Sequence, residues 1–128
     1  MFTDLNVFRT AAAMATHAGE RQAVIAQNMA NSDTPGYKAR DLVPFQDVIK
    51  NSGTGAGMRA SRAGHLNGMS SDGSAWETFT PNATSDPNGN TVSIENEMLN
   101  GVEVKRQHDL ALAIYKSSLS ILRNSLGR

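Results

Sequence analysis

IAQNMANSDTPGYKARD, residues 25–41, passes without pause from a helix-like run of Ala, Gln and Met into Asn, Ser, Asp, Thr, Pro and Gly. The amides of Gln27, Asn28 and Asn31 can hydrogen-bond neighbouring backbone at a helix end, and Asp33 and Thr34 favour side-chain-closed turns. Pro35 and Gly36 fit positions i+1 and i+2 of a type II turn, because Pro presets φ and Gly tolerates positive φ. A plain helix stop needs only one Gly or Pro. Here Asn28, Ala30, Asn31, Thr34, Pro35, Gly36 and Tyr37 together prescribe the path by which the chain leaves its helix. The stretch therefore raises one question: is it a loop, or a shaped connector that a partner reads?

On its N-terminal side, residues from Asp4 to about Asn31 are mostly helix formers. Leu5, Phe8, Ala12, Ala15, Ala26 and Met29 fall three or four residues apart or at sums of these, and Thr3 or Asp4 is the expected N-cap. Many members of this row are alanine, so the helix has a thin apolar face. The C-terminal segment carries a stronger signal. Leu112, Tyr115, Leu119, Leu122 and Leu126 step by three and four and form the expected helix-packing face, with Ala111, Ile114, Ser118, Ile121 and Ser125 beside them. Upstream, Ser93 can cap a helix whose first turn holds Glu95 and Glu97, while Arg123 and Arg128 suit the far end of the dipole and Gly127 the stop. A helix over roughly residues 94–126 follows, about 50 Å long at 1.5 Å per residue.

These two helices dominate a chain of 128 residues, which has room for one domain. The fold class expected is mainly α, with two long terminal helices and a Gly/Ser/Asn-rich, partly extended segment between them. The chain divides into an N-terminal helix (1–34), a connector (35–50), a flexible central segment (51–90) and a C-terminal helix (91–128). Two helices cover only one side of each other, so the remaining apolar surface calls for other chains. The central segment holds few apolar residues. It reads either as a surface loop or as chain that orders on assembly, with AWETFTP forming a short strand around Trp76, Thr78 and Phe79.

Composition excludes several function classes. Twelve Lys plus Arg balance twelve Asp plus Glu, so no net field selects nucleic acid or an anionic membrane. No cysteine is present, which removes thiolate metal sites and thiol nucleophiles. No run of about 18 apolar residues occurs, so no membrane insertion is expected, and the N-terminus lacks the basic and apolar regions of a cleaved signal peptide. GTGAG at residues 53–57 lacks the flanking strand and Lys-Ser/Thr pair of a phosphate loop. DPNGN at residues 86–90 reads as a turn rather than a calcium loop, because Gly89 comes too early for the sharp turn of such a loop. His17, His65 and His108 have no second histidine at helical metal-ligand spacing and read as solvent-facing; His108 and Asp109, being adjacent on a helix, do not form a dyad. No catalytic, metal or cofactor site is expected.

The opening stretch also carries a resemblance. NMANSDTPGYKARD is similar to the Asn-x-Ala-Asn-x-x-Thr-Pro-Gly-Tyr signature near the N-terminus of bacterial flagellar rod and hook proteins. GYKARDLVPF after it, the short chain, and DPNGNTVSIENEM opening the last helix narrow the resemblance to a proximal rod subunit of the flagella basal body rod family. The match spans both helical ends and leaves the centre largely uncovered. It implies N- and C-terminal helices paired as a coiled coil, stacked in a helical tube that passes torque from the membrane ring to the distal rod and hook. The implied partners are further copies of the chain, the rod proteins FlgC, FlgF and FlgG, the rod-ring adaptor FliE, the membrane ring and the flagellar export gate. The implied location is the rod crossing the periplasm, reached through the flagellar type III apparatus without a cleaved signal. Rival readings are the short rod protein FlgC, which the residues after Tyr37 disfavour, and a type III secretion adaptor, which would lack the Asp-Thr-Pro-Gly-Tyr connector.

Overall fold

The computed structural model describes residues 2–53 and 76–127. Its elements run α1 (Phe2–Ala30), β1 (Asp41–Leu42), α2 (Phe45–Gly53), β2 (Thr78–Phe79) and α3 (Ile94–Ser125). The GTGAG stretch beyond Gly53, His65, Arg128 and the central segment over residues 54–75 lie outside the described residues. The described chain is mainly helical, built on α1 of 29 residues and α3 of 32.

α3 starts where its capping chemistry places it. Ser93 sits in extended geometry at φ −104° and ψ 112°, and its hydroxyl accepts from the Asn96 N–H at 3.5 Å, with Glu95 and Glu97 in the first turn. At the other end Arg123 stands in the last turn and Gly127 takes φ 71°. α1 begins at Phe2, so Thr3 and Asp4 lie inside the helix and neither is its N-cap.

The two long helices pack against each other antiparallel: the Phe8 ring meets Tyr115 edge-on at 5.1 Å near one end, and Asn28 comes close to Glu97 near the other. The buried positions repeat every seven residues on both sides. Ala11, Ala18 and Ile25 of α1 face a row of Glu97, Val104 and Ala111 on α3, with Val104 fully buried between Ala18 and Ile25. Seven residues are close to two helical turns, so each row stays on one face over the length of the pair. Alanine at three of the six positions lets the axes approach closely, and Val104 and Ile25 each supply about 1.5–3 kcal/mol of apolar burial. This row is not the one expected for α1: Ala12, Ala26 and Met29 are exposed.

A smaller layer lies against α1. β1 and β2 pair antiparallel with Asp41 opposite Phe79 and Leu42 opposite Thr78, and the Val43 N–H extends the ladder to the Glu77 carbonyl at 3.0 Å. α2 follows at once, its first turn closed on the Pro44 carbonyl by the N–H groups of Asp47 and Val48. His17 anchors this layer. It is 1% exposed, a correction to its reading as solvent-facing, and it sits against the rings of Phe45 at 5.5 Å and Trp76 at 5.1 Å. Its Nε2 lies 2.8 Å from the Val43 carbonyl. A carbonyl only accepts, so Nε2 carries the hydrogen. Histidine is tolerated here because its polar edge is satisfied while its ring is packed.

Candidate functional site: the interlocked connector

Every side chain of the opening stretch can be followed in the structure. The Thr34 carbonyl accepts from the Tyr37 N–H at 3.2 Å, and Gly36 has φ 74°, which together make a type II turn with Pro35 at i+1. Asn31 serves this turn from the helix end: its Nδ2 donates to the Gln27 carbonyl at 2.8 Å and its Oδ1 accepts from the Thr34 hydroxyl at 3.2 Å. Ala30 is exposed. Asn28 is fully buried and acts like a piece of strand backbone, donating through Nδ2 to the Arg40 carbonyl at 2.7 Å and accepting the Arg40 N–H at 3.1 Å. The Tyr37 hydroxyl donates to the same Oδ1 at 3.2 Å. One amide thus fixes both the exit from α1 and the return of residues 37–40 along its side.

The connector does not hold its shape alone. Residues 86–90 form a second turn, with the Gly89 N–H on the Asp86 carbonyl and the Asp86 N–H on the Asn90 carbonyl, both at 2.8 Å. Its backbone crosses the first turn: the Gly36 N–H donates to the Asn88 carbonyl and the Thr91 N–H to the Tyr37 carbonyl, each at 3.0 Å. Lys38 Nζ reaches the Gly89 carbonyl at 3.0 Å, and the Ala39 N–H reaches the Thr91 hydroxyl at 2.9 Å. Gly89 has φ 84°, and a Cβ there would stand 3.3 Å from the Gly36 Cα. Two left-handed glycines therefore lie back to back.

Asn90 is the pin of this interlock. Its side chain is buried, and Nδ2 lies 2.9, 2.8 and 2.8 Å from the carbonyls of Asn31, Ser32 and Thr34. Two N–H groups serve three acceptors, so one hydrogen is shared. Those carbonyls belong to the end of α1 and the turn after it, where helices leave backbone acceptors unsatisfied. The Asn90 Oδ1 meanwhile accepts the Val92 N–H at 2.7 Å. A residue just before α3 thereby caps the exit of α1 and sets how the two long helices enter their pairing.

A charged group lies alongside, which the sequence did not single out. Arg21 grips Asp41 with two bonds of 2.8 Å, both side chains half-buried. The hydrogen bond to Asp41 is the main reason the Arg21 guanidinium holds its proton more tightly than usual, outweighing the opposing effect of burial. Glu97, expected only to suit the helix dipole, instead enters the seam at 7% exposure. Burial pushes its carboxyl above the usual range, against the lowering effect of the Asn28 hydrogen bond.

Of the expected helix-packing residues, Tyr115 reaches α1 through the Phe8 ring. Leu119 and Leu122 are half-exposed, and Leu112, Tyr115 and Leu126 are exposed. Among the described residues no helix is long and apolar enough to cross a membrane, and no group of His, Asp and Glu is placed to hold a metal ion.

Comparison with known proteins converges on the same stretch. Residues 8–38 match the family model described as flagella basal body rod protein, which takes in most of α1 and the connector through Lys38. The chain is 31% identical over 116 residues to the flagellar basal body rod protein FlgB of Agrobacterium fabrum, covering 88% of this chain and 87% of that one. It is 30% identical over 117 residues to FlgB of Yersinia enterocolitica, covering 81% of this chain and 84% of the other. The chain belongs to the flagella basal body rod protein family, a family of structural proteins and not of enzymes.

Proposed function

We propose that the chain is a structural subunit of the proximal rod of the bacterial flagellar basal body, of the FlgB type. The observation that carries this is similarity along most of the chain to two proteins of that name. In this reading α1 and α3 form a coiled coil, which their seven-residue burial repeat supports. The coils stack in a helical tube and pass torque outward, with further copies, FlgC, FlgF, FlgG, the adaptor FliE and the membrane ring as neighbours. The subunit reaches that place through the flagellar type III export gate.

The exposed surface fits a subunit whose burial is completed by neighbours. Met98, Leu99 and Val102 on α3 are 60%, 69% and 71% exposed, and Ile121 and Leu126 are 60% and 76%. A second apolar strip runs in the groove between the helices along Val7, Ala11, Met14 and Ile114. Surface of this extent suits an assembly contact. Leu112, Tyr115, Leu119, Leu122 and Leu126 are assigned to helix packing, within the pair where Tyr115 meets Phe8 and against neighbouring helices where they stay exposed, and the connector of Asn28, Ala30, Asn31, Thr34, Pro35, Gly36 and Tyr37 to setting the angle at which each copy meets the next. The test is a density map of intact basal bodies from cells carrying this chain. Density at the base of the rod that fits the antiparallel pair with its interlocked turns is the expected result; side-chain density there that belongs to another chain overturns the proposal.

A further inference from the structure

The carboxyl of Glu97 is placed where its charge has no adequate partner. It occupies the same seven-residue row as Val104 and Ala111, at 7% exposure, and its Oε2 is buried without a hydrogen-bond partner among the described residues. The groups that act on it are few. From α1, Asn28 offers a neutral amide already committed to the Arg40 carbonyl, and Arg21 is the nearby cation. Arg21 favours the charged form of Glu97 but is the smallest of the influences on it, its Nε and one terminal nitrogen being bonded to Asp41 at 2.8 Å. From β1, Asp41 adds a like charge that works against ionisation of Glu97. On α3 itself Glu103 faces Arg21 and is bonded to Arg106 and Gln107, so it supplies no compensating positive charge.

We propose that Glu97 makes closure of the α1–α3 seam a proton-linked event: the packed pair holds Glu97 as the neutral acid, and loss of that proton loosens the seam at its connector end. An ionised carboxylate with one unsatisfied oxygen is costly to bury, whereas the acid is not. The direction of its shift agrees, since burial raises the Glu97 carboxyl. The sign follows from linkage. A carboxyl raised in the folded state binds its proton more tightly there than in the open chain, so its penalty is present above the folded value and fades as pH falls through it. The pair gains stability toward mildly acidic pH, against the usual trend for surface-paired carboxylates.

The test compares the full chain with Glu97→Gln by urea unfolding between about pH 5 and 8, followed by helical circular dichroism and by the fluorescence of Trp76. The variant serves as the permanently neutral form, and histidine titrations are common to both proteins. The expected result is a Gln variant that is more stable than the parent at the upper pH, with the gap closing as pH falls. Each pH unit by which Glu97 titrates above a glutamate peptide corresponds to roughly tenfold in the folding constant at the upper end. A gap that stays constant with pH, or a variant weaker throughout, overturns the proposal. A second reading uses the parent alone: the carbonyl carbon resonance of Glu97 should titrate above the peptide range, and a midpoint at or below about 4.3 also overturns it.

Discussion

Two glycines in the interlock have the same backbone sign and different surroundings, which makes them a matched pair. Gly36 at φ 74° has open space where a Cβ would stand, so Gly36→Ala carries only the left-handed penalty of about 1–2 kcal/mol. Gly89→Ala carries that penalty and also drives a methyl to 3.3 Å from the Gly36 Cα, a backbone atom with little room to give. Urea unfolding of the two variants should rank Gly89→Ala clearly below Gly36→Ala; equal losses would show that the turns do not lie back to back. Asn90→Ala is the companion test. It strips three carbonyls of their buried donor at a cost of about 1–3 kcal/mol, and amide exchange at residues 31–37 should accelerate while exchange at the middle of α3 does not. At this scale the sequence was informative where the rule is local. Pro35-Gly36 names its own turn, and Asp86 to Asn90 does likewise. The roles of Asn28, His17 and Asn90 were not legible, because a polar residue is buried only when its partners are supplied by distant chain. For Asn90 those partners lie 56 to 59 residues away. Nothing in residues 86–92 marks them.

For the helices, the decisive contrast is between a position buried inside the chain and one left for neighbours. Val104 is wholly enclosed by Ala18 and Ile25, so Val104→Asp places an unpaired charge in the seam. A cost of about 3–5 kcal/mol is expected, and circular dichroism should show much of the helix lost at neutral pH. Leu122 is half-exposed near the end of α3. Leu122→Asp should therefore keep the parent's helical signal within error, while cells carrying it make no rods. Normal motility with that variant would remove Leu122 from the assembly surface. The same contrast explains what the helical pattern in the sequence disclosed. Both long helices, the Ser93 cap and the Gly127 stop are written locally and strongly. The buried row of α1 is not, because alanine is frequent on every side of the helix and a run of alanines has little periodicity to read. The row through Ala11, Ala18 and Ile25 became visible only opposite Val104 and Ala111. On α3 the strongest leucine row mixes the two surfaces, since its Tyr115 meets Phe8 of α1 while Leu112 and Leu126 are exposed, so the row by itself does not separate the intramolecular seam from the outer face.

Across the whole molecule, the two ends of the helix pair are unlike. One end is held by the interlocked turns, the Asn90 pin and the Arg21–Asp41 pair; at the other, among the described residues, the Phe8 ring meets Tyr115 beyond the Ala11 and Ala111 level. The direction in which residues 37–45 leave α1, and hence the position of β1, α2 and Trp76, is set at the pinned end. In a helical lattice any change in that direction recurs in every copy, so an error that one subunit tolerates is not absorbed by its neighbours. We propose that this connector is a shaped part read by the assembly. Its most direct test is the double substitution Pro35→Ala with Gly36→Ala, which removes a fixed φ and a left-handed glycine at roughly 1–2 kcal/mol per subunit. Rods are counted in basal bodies isolated from cells expressing it, alongside the amount of subunit made and exported. The expected result is normal synthesis and export with rods absent; full-length rods in normal number would show that the connector is not read by its partners.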